Sequence, residues 1–203
     1  MLDRYTLPLL KRPLQASARV LAAHGVSANQ VTVVGFVIGL LAVPALLLNA
    51  YGLALGLILL NRLGDGIDGE LARLQGPSDA GAFLDITLDF IFYQAVVFGF
   101  ALADPAFTHW ALLLMLSFVG TGISFLAFAI MAERRSISNP KYPNKGLHYM
   151  AGLAEGTETI AFFVACCVWP AAFPWLAGGF AALCFITAGM RILFGFKTLQ
   201  TLA

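Results

Sequence analysis

Charged residues are scarce in this sequence. Asp, Glu, Lys and Arg together make up 11% of its 203 residues, whereas 60% are hydrophobic and the mean hydropathy is +0.84. Soluble domains carry roughly 25% charged and about 45–50% apolar residues. The shortage of charge therefore excludes an ordinary soluble domain and predicts an integral membrane protein.

Cysteine and clustered basic residues are also sparse. The three cysteines, Cys166, Cys167 and Cys184, lie in apolar stretches and lack the spacing of zinc ligands. We interpret them as packing residues that face the core or the lipid. The formal net charge is +1, and no basic tract is interleaved with aromatic residues. Nucleic acid is therefore not expected as a partner.

Apolar stretches predict six membrane-spanning helices, because each is near or above the ~20 residues that cross a bilayer. They lie at about residues 28–49, 51–74, 79–102, 107–133, 147–170 and 174–198. No repeat, linker or shift of composition marks a second domain. The expected fold is a single all-α domain, residues 1–203, that forms a six-transmembrane-helix bundle.

Lys and Arg residues indicate the orientation of the bundle, because such residues are retained on the cytoplasmic side of a membrane. They precede the first span, fill the loop between the fourth and fifth spans and close the last span: Arg4, Lys11, Arg12, Arg19, Arg134, Arg135, Lys141, Lys145 and Lys197. The three opposite loops contain neither residue type. Both termini, and the turn between the second and third spans, are therefore expected to face the cytoplasm.

The N-terminal segment, residues 1–26, has the pattern of an amphipathic helix. At 100° per residue its charged and polar side chains fall opposite its leucines and valine. We expect an interfacial helix on the inner leaflet, started or kinked at Pro8 and Pro13. A disordered basic tail is the alternative.

Four aspartates interrupt the second and third spans: Asp65, Asp68, Asp85 and Asp89. Each ionised carboxylate in hydrocarbon costs at least about 2.5–3.5 kcal/mol on insertion scales, so the group needs a partner of opposite charge. Oxygen ligands without His or Cys suit Mg²⁺ or Mn²⁺ rather than zinc. Two such cations, about 3.5–4 Å apart, would form the clamp used in phosphoryl transfer.

Helical spacing places these aspartates on two polar stripes. Asp65 and Asp68 share a face with Gly69 and Arg73, and Gly81 precedes the other two aspartates at steps of four. An antiparallel pair of spans would bring the stripes face to face around a polar cavity that opens to the cytoplasm. The glycines suit the approach of a bulky ligand and Arg73 suits a phosphate, although close helix packing also explains the glycines.

The complete pattern resembles the signature of the CDP-alcohol phosphatidyltransferase family. It has Asp65, two residues, Asp68-Gly69, two residues, Ala72-Arg73, seven residues, Gly81, three residues, Asp85, three residues and Asp89. All eight fixed positions are present. The first span opens with Ala28-Asn29-Gln30-Val31-Thr32, which is similar to the family's Pro-Asn-x-x-Thr except that Ala28 replaces the proline.

This resemblance implies transfer of a phosphatidyl group from CDP-diacylglycerol to a small polar alcohol, with release of CMP. It implies that Asp65, Asp68 and Asp85 are metal ligands and that Asp89 is both a ligand and the general base. The implied CDP-binding residues are Gly69, Arg73, Gly81, Asn29, Thr32 and Ser78. It further implies a homodimer in a bacterial inner membrane, with the active site at the cytoplasmic face.

Several other charged residues lie in the spans. A pocket for an anionic acceptor such as glycerol 3-phosphate or an inositol phosphate is one interpretation; its residues would be Arg134, Arg135, Lys145 and Arg191. Structural ion pairing, for instance of Arg62 with Glu158, and the positive-inside rule are the alternatives.

Two alternatives to the whole assignment remain. The motif indicates cytidine diphosphate and metal rather than the alcohol, so a CDP-ethanolamine or CDP-choline phosphotransferase acting on diacylglycerol shares it. Membrane aspartates also line cation or proton pathways in transporters. Against a transporter, the four acids cluster near one face of the membrane instead of crossing it.

Overall fold

The computed structural model describes residues 3–135 and 153–201. The secondary structure of this part is entirely helical. Its α-helices are α1 (Asp3–Ala23), α2 (Ala28–Leu40), α3 (Ala42–Leu47), α4 (Tyr51–Gln75), α5 (Asp79–Ala103), α6 (Thr108–Arg134), α7 (Gly156–Val168) and α8 (Phe173–Thr201). Short 3₁₀ turns at Pro105–Phe107 and Pro170–Ala172 precede α6 and α8.

The predicted first span, 28–49, is two helices rather than one. The α2 helix ends at Leu40, and α3 runs from Ala42 to Leu47. Pro44 explains the interruption, because its ring clashes with the carbonyl four residues earlier, at Leu40, and it has no N–H to donate. The two helices still form one apolar segment, Ala28–Leu47.

Within the described residues, four helical segments are long and apolar enough to cross a membrane: Ala28–Leu47, Asp79–Ala103, Pro105–Arg134 and Pro170–Gln200. The α4 helix has 25 residues but carries several charged side chains. The predicted fifth span, 147–170, contains the helix α7 but begins too early where the structure describes it. Residues 153–155 are not helical, and the backbone N–H groups of Leu153 and Ala154 donate to Thr187 Oγ1 on α8. The helix starts only at Gly156.

Glycines allow α2 to pack closely on α4. A Cβ built on Gly64 would lie 3.4 Å from Gly35 Cα, so the two backbones are almost in contact. A Cβ on Gly39 would lie 2.7 Å from the Phe92 ring of α5. The α2–α3 segment thus packs on both α4 and α5, whereas α4 and α5 make little backbone contact with each other. A gap remains between their facing polar stripes.

Aromatic side chains fill the interior further from this gap. The rings of Phe100 and Phe173 stack with centroids 4.7 Å apart, and those of Phe162 and Phe180 stack at the same distance. All three cysteines are reduced and buried in this core, which confirms that they are packing residues.

Small residues of α6 make their close contacts within the chain. A Cβ on Gly120 would lie 3.6 Å from Ala188 of α8, and one on Gly122 would lie 2.5 Å from the Phe90 ring of α5. These two glycines therefore serve the packing of α6 against its own neighbours.

Large apolar side chains cover the outside of the helices. Trp175 is 80% exposed and Leu48 is 76% exposed, with many other leucines, valines and phenylalanines about half exposed. Such a surface belongs in lipid, because a soluble protein rarely exposes contiguous apolar area on this scale. The chain is an all-α integral membrane protein.

The α1 helix lies against α4. Its Ala18 is fully buried, and Leu14 fills the space that a Cβ at Gly66 would need. The helix runs from Asp3 through Pro8 and Pro13, so neither proline starts it; a kink at either one stays a prediction. Lys11, Arg12 and Arg19 of this helix are exposed.

Candidate active site

Three helix ends meet on one side of the bundle. The start of α2 and the end of α4 are held together by polar contacts, because the Gln75 side chain donates to Val26 O (2.7 Å) and accepts from Ala28 N (3.1 Å). Ser27 and Gln30 form a capping box at α2. Ser78 caps α5 by accepting from Gly81 N at 3.1 Å. These caps position the polar halves of α4 and α5.

Three of the four predicted aspartates converge in the gap between α4 and α5. One carboxylate oxygen each from Asp65, Asp68 and Asp85 lies within 4.8 Å of the others. Asp68 is only 4% exposed, and its Oδ2 has no hydrogen-bond partner. The small pocket between them, about 10 Å³ in volume, is also lined by Thr32.

This arrangement fits a divalent cation. Two metal–oxygen bonds of about 2.1 Å place opposite ligand oxygens about 4.2 Å apart, so a small side-chain rotation would close the observed spacing around Mg²⁺ or Mn²⁺. A buried carboxylate oxygen without a partner is costly, and a cation is the partner that such an oxygen favours. The residues present therefore suit a hard metal ion bound by oxygen.

Asp89, the fourth aspartate, lines the same pocket but is held by an arginine. Arg62 donates from Nη2 to Asp89 Oδ1 at 2.5 Å and from Nη1 to Oδ2 at 3.2 Å, which is the two-pronged geometry of a strong ion pair. Arg62 Nη1 also lies 3.5 Å from Asp65 Oδ2. Among the described ion pairs, Arg62 thus takes Asp89 and Asp65 rather than Glu158.

Arg62 is fixed in place by its surroundings. Its Nε donates to Asn61 Oδ1 at 2.8 Å, and Asn61 in turn donates to Gly35 O at 2.9 Å. Nη1 donates to the Tyr93 hydroxyl at 3.0 Å, and the guanidinium lies 4.7 Å from the centre of the Phe92 ring. Sequence reasoning did not place Arg62 in the site, although its position three residues before Asp65 was an available signal.

The predicted CDP-binding residues form two pairs beside the aspartates. The Arg73 guanidinium lies over Gly69, 3.7 Å from where a Cβ would be, and it donates to the buried Glu70 at 2.6 Å. Asn29 Oδ1 lies 3.0 Å from the corresponding point on Gly81. Neither glycine has a neighbouring helix backbone within 4 Å of that point. Close packing of helix backbones therefore does not explain them.

Thr32 and Ser78 have structural bonds of their own. The Thr32 hydroxyl donates to Ala28 O at 3.1 Å while lining the aspartate pocket. The Ser78 hydroxyl lies 3.1 Å from the Cβ position of Gly81, as part of the α5 cap.

A second cavity of about 220 Å³ lies between α5, α6, α7 and α8. Its polar lining includes Gln94, Glu155, Thr159 and Arg191, with phenylalanines between them. Arg191 is 9% exposed and donates from Nη1 to Thr121 O at 3.1 Å. Tyr93 also lines this cavity. Because Tyr93 accepts a hydrogen bond from Arg62, it joins the cavity to the aspartate pocket.

The described residues of the predicted acceptor cluster lie in different places. Arg134 and Arg135 are exposed at the end of α6, and neither lines the cavity of Arg191. Arg135 donates to Leu199 O, which is eight residues beyond Arg191 on α8. Eight residues correspond to roughly 12 Å of helix. Lys145 lies outside the described residues.

The chain is similar to several known proteins. The sequence model of the CDP-alcohol phosphatidyltransferase family matches residues 25–192. The chain is 50% identical over 206 aligned positions to Inner membrane protein YnjF of Escherichia coli (strain K12), covering 100% of this chain and 98% of that protein. It is 38% identical over 96 positions to the Archaetidylinositol phosphate synthase of Pyrococcus horikoshii, covering 47% of this chain and 51% of that protein.

Two solved structures share the fold. Mycobacterium tuberculosis phosphatidylinositol phosphate synthase with CDP-DAG bound aligns with a TM-score of 0.68 at 23% identity, covering 91% of this chain and 94% of that one. The same synthase in complex with manganese and citrate aligns with a TM-score of 0.67 at 22% identity, covering 90% and 88%.

Proposed function

The chain belongs to the CDP-alcohol phosphatidyltransferase family, and on that premise we propose that it transfers a phosphatidyl group from CDP-diacylglycerol to a small polar alcohol. CMP is the second product. The convergence of Asp65, Asp68 and Asp85 from two helices within 4.8 Å is the observation that carries this proposal. A solved relative of the same fold is described with CDP-DAG bound, which supports the choice of donor.

Divalent cations, Mg²⁺ or Mn²⁺, are the proposed cofactors. Asp65, Asp68 and Asp85 would hold one, and Asp89 would contribute to a second. Bound cations neutralise charge on a pyrophosphate and polarise its phosphorus–oxygen bonds. The manganese in a relative's structure and the unpartnered Asp68 Oδ2 support this role.

The CDP group would lie over the two glycines. Without side chains at Gly69 and Gly81, the nucleotide can approach the backbone beside the aspartates. Arg73 is exposed over Gly69 and can bind a phosphate oxygen. Asn29, Thr32 and Ser78 line the same end of the bundle and would contact the cytidine.

Asp89 is the proposed general base. Its carboxylate lines the aspartate pocket, one turn of α5 beyond Asp85. From there it can take the proton of an acceptor hydroxyl that attacks the β-phosphate in line. The β-phosphate bond to the α-phosphate oxygen then breaks, and CMP leaves.

The acceptor would bind in the 220 Å³ cavity. A buried arginine at one wall, Arg191, suits an anionic acceptor such as glycerol 3-phosphate or an inositol phosphate. Two relatives are named as synthases of inositol phosphate lipids, which supports a phosphorylated alcohol. Arg134 and Arg135 do not line this cavity, so Arg191 is the principal candidate for contact with the acceptor.

We place the enzyme in a bacterial inner membrane as a single domain with six spans and an interfacial α1. The named inner membrane relative supports that location. Both termini and the site would face the cytoplasm, where the Lys and Arg residues concentrate. A homodimer is expected from the family resemblance. This geometry keeps acyl chains in the inner leaflet while the soluble acceptor enters from the cytoplasm.

The test is CMP release by the purified protein in detergent. CDP-diacylglycerol would be supplied with Mg²⁺ or Mn²⁺ and a panel of glycerol 3-phosphate, serine, inositol, inositol phosphate and glycerol. We expect metal-dependent release with one acceptor, lost in Asp89→Asn. Asp104→Asn is the matched control, because Asp104 caps the distant 3₁₀ turn and asparagine caps equally well.

The remaining outcomes separate the alternatives. Release only from CDP-ethanolamine or CDP-choline with diacylglycerol would reverse donor and acceptor. Ion flux in proteoliposomes without any CDP-lipid would indicate a transporter. Failure to bind CDP-diacylglycerol at all would contradict the proposal.

A further inference from the structure

Arg62 lines the aspartate pocket and is held there by many contacts. Its side chain is 12% exposed and has five polar contacts, to Asn61, Tyr93, Asp65 and both oxygens of Asp89. Rings on two sides, Phe92 and Tyr93, lie 4.7 Å and 5.0 Å from its guanidinium carbon. Such a cage holds one orientation of the guanidinium.

The position of this guanidinium matters for metal binding. Four carboxylates line the pocket, and three of them form the group within 4.8 Å of one another. The fourth, Asp89, has both oxygens engaged by Arg62. A cation that binds Asp89 must share an oxygen with the positive guanidinium of Arg62, against charge repulsion, or break one of these bonds. Of the first three carboxylates, only Asp65 has an ion pair with Arg62, and that pair is longer, at 3.5 Å.

We propose that Arg62 is an internal cation that competes with the second divalent ion for Asp89, so that the site loads its metals in two unequal steps. This inference rests on the proposed function. The first cation binds the Asp65, Asp68 and Asp85 group tightly. The second binds more weakly because the positive Arg62 guanidinium already holds both oxygens of Asp89. Arg62 is thus a positioning residue, which acts through the carboxylate that it holds.

The formal charges of the site indicate that Arg62 competes with the second ion and does not take its place permanently. The four carboxylates carry a formal charge of −4 and Arg62 carries +1. One divalent ion with Arg62 would leave −1 before the donor adds its two phosphodiester charges. Two divalent ions with Arg62 give +1, which the donor changes to −1. The two-ion state is therefore better matched to a pyrophosphate ligand.

The test is Mn²⁺ binding to the whole protein in detergent, without substrate. The free-ion signal in electron paramagnetic resonance gives both dissociation constants, and their ratio is the measured quantity. We expect two steps in the wild type. Arg62→Gln should tighten the second step by at least about tenfold relative to the first, because the competing ion pair is gone.

Three further variants make the result specific. Arg62→Lys keeps the charge but not the two-pronged bond, so its ratio should lie between those of the wild type and Arg62→Gln. Tyr93→Phe removes one bond to Arg62 without changing charge and should tighten the second step about two- to tenfold. Asp89→Asn should abolish the second step and keep the first. Arg12→Gln, an exposed position on α1, controls for loss of a distant charge.

Each outcome has one meaning. Equal dissociation constants for the two Mn²⁺ steps in the wild type would overturn the role of Arg62. The role would also be overturned if Arg62→Lys and Tyr93→Phe left the ratio of the two constants unchanged or increased it. Melting curves in detergent identify a variant that fails to fold. If Arg62→Gln does not fold, the Tyr93→Phe variant still tests the proposal. Absence of any Mn²⁺ binding to the folded wild type would instead contradict the metal site of the proposed function.

Discussion

Arg62 and Asp89 lie 27 residues apart on α4 and α5, and their side chains meet with Nη2 and Oδ1 2.5 Å apart. This pair bridges the gap between two helices whose backbones make little contact. It also divides the four aspartates into a group of three, whose oxygens converge, and one that an arginine holds. The predictions below follow from that division and from the packing around it.

Asp85→Asn should abolish most of the metal-dependent activity. Asp85 is the α5 ligand in a group otherwise supplied by α4, so its loss opens one side of the site. We expect CMP release to fall at least about 100-fold, on the scale seen when a charge-stabilising group is removed. Without divalent metal, the melting temperature should hold or rise, because a partly buried negative charge is gone. A fall in activity matched by Asp104→Asn would contradict this.

Divalent metal should stabilise the folded protein. Ions that bind only the native site add stability as they saturate it, about 2.7 kcal/mol at 100 times the dissociation constant. Chelation by EDTA should therefore lower the melting temperature in detergent and stop CMP release, and added Mn²⁺ should restore both. In Asp85→Asn the thermal shift should shrink. An equal shift in that variant would place the stabilising ion elsewhere.

Gly69→Ala should weaken binding of the CDP-lipid with little effect on folding. The added methyl would meet only the flexible Arg73 guanidinium, 3.7 Å away, but would occupy the proposed nucleotide path. Alanine also favours a helix over glycine by roughly 0.5–1 kcal/mol. Equilibrium binding of CDP-diacylglycerol and a melting curve would measure the two effects. Gly56→Ala is the matched control, because nothing lies within 4 Å of its Cβ position.

Gly39→Ala should destabilise the protein by disturbing the α2, α4 and α5 junction. A methyl there would lie 2.7 Å from the Phe92 ring and 2.9 Å from Asn61 Cγ. Overpacking of this kind costs about 1–3 kcal/mol. Because Asn61 supports Arg62, the second Mn²⁺ step should change as well. Gly52→Ala, which meets nothing within 4 Å, should show neither effect.

Arg191→Gln should raise the KM for an anionic acceptor without changing the affinity for the donor. Arg191 lines the second cavity, whereas the aspartates line the first. Loss of a charge-assisted contact predicts a rise of about tenfold or more. Steady-state kinetics with each substrate varied in turn would measure it, with Arg12→Gln as control. A parallel change in the affinity for the donor would contradict the assignment of Arg191 to the acceptor cavity.

Much of the fold could be predicted from local patterns. Four of the six predicted spans agree with helices of the structure to within three residues at each end, because long apolar runs and helix caps are local signals. The errors have local and tertiary causes. Pro44 divides the first span, and Thr187 of α8 captures the backbone before Gly156.

Only part of the candidate site could be predicted from local sequence patterns. The aspartates were predictable, since spacing on a helix places them on one face. The ion-pair partner of Arg62 could not be predicted, because the sequence contains several acidic residues, among them Asp89 and Glu158, that could pair with it. The two kinds of glycine were also indistinguishable by sequence: Gly64 meets a helix backbone, whereas Gly69 faces an arginine side chain.

By itself the sequence determined that this is a helical membrane protein with the eight-position motif of the CDP-alcohol phosphatidyltransferase family. Those features depend on composition and on residues within a few turns of each other. Only the tertiary structure decided that α2 separates α4 from α5, that three carboxylates converge and that Arg62 holds the fourth. The periodicity of a helix sets which residues share a face. The distance and rotation between helices follow instead from packing contacts, such as Gly35 on Gly64, between segments far apart in the chain.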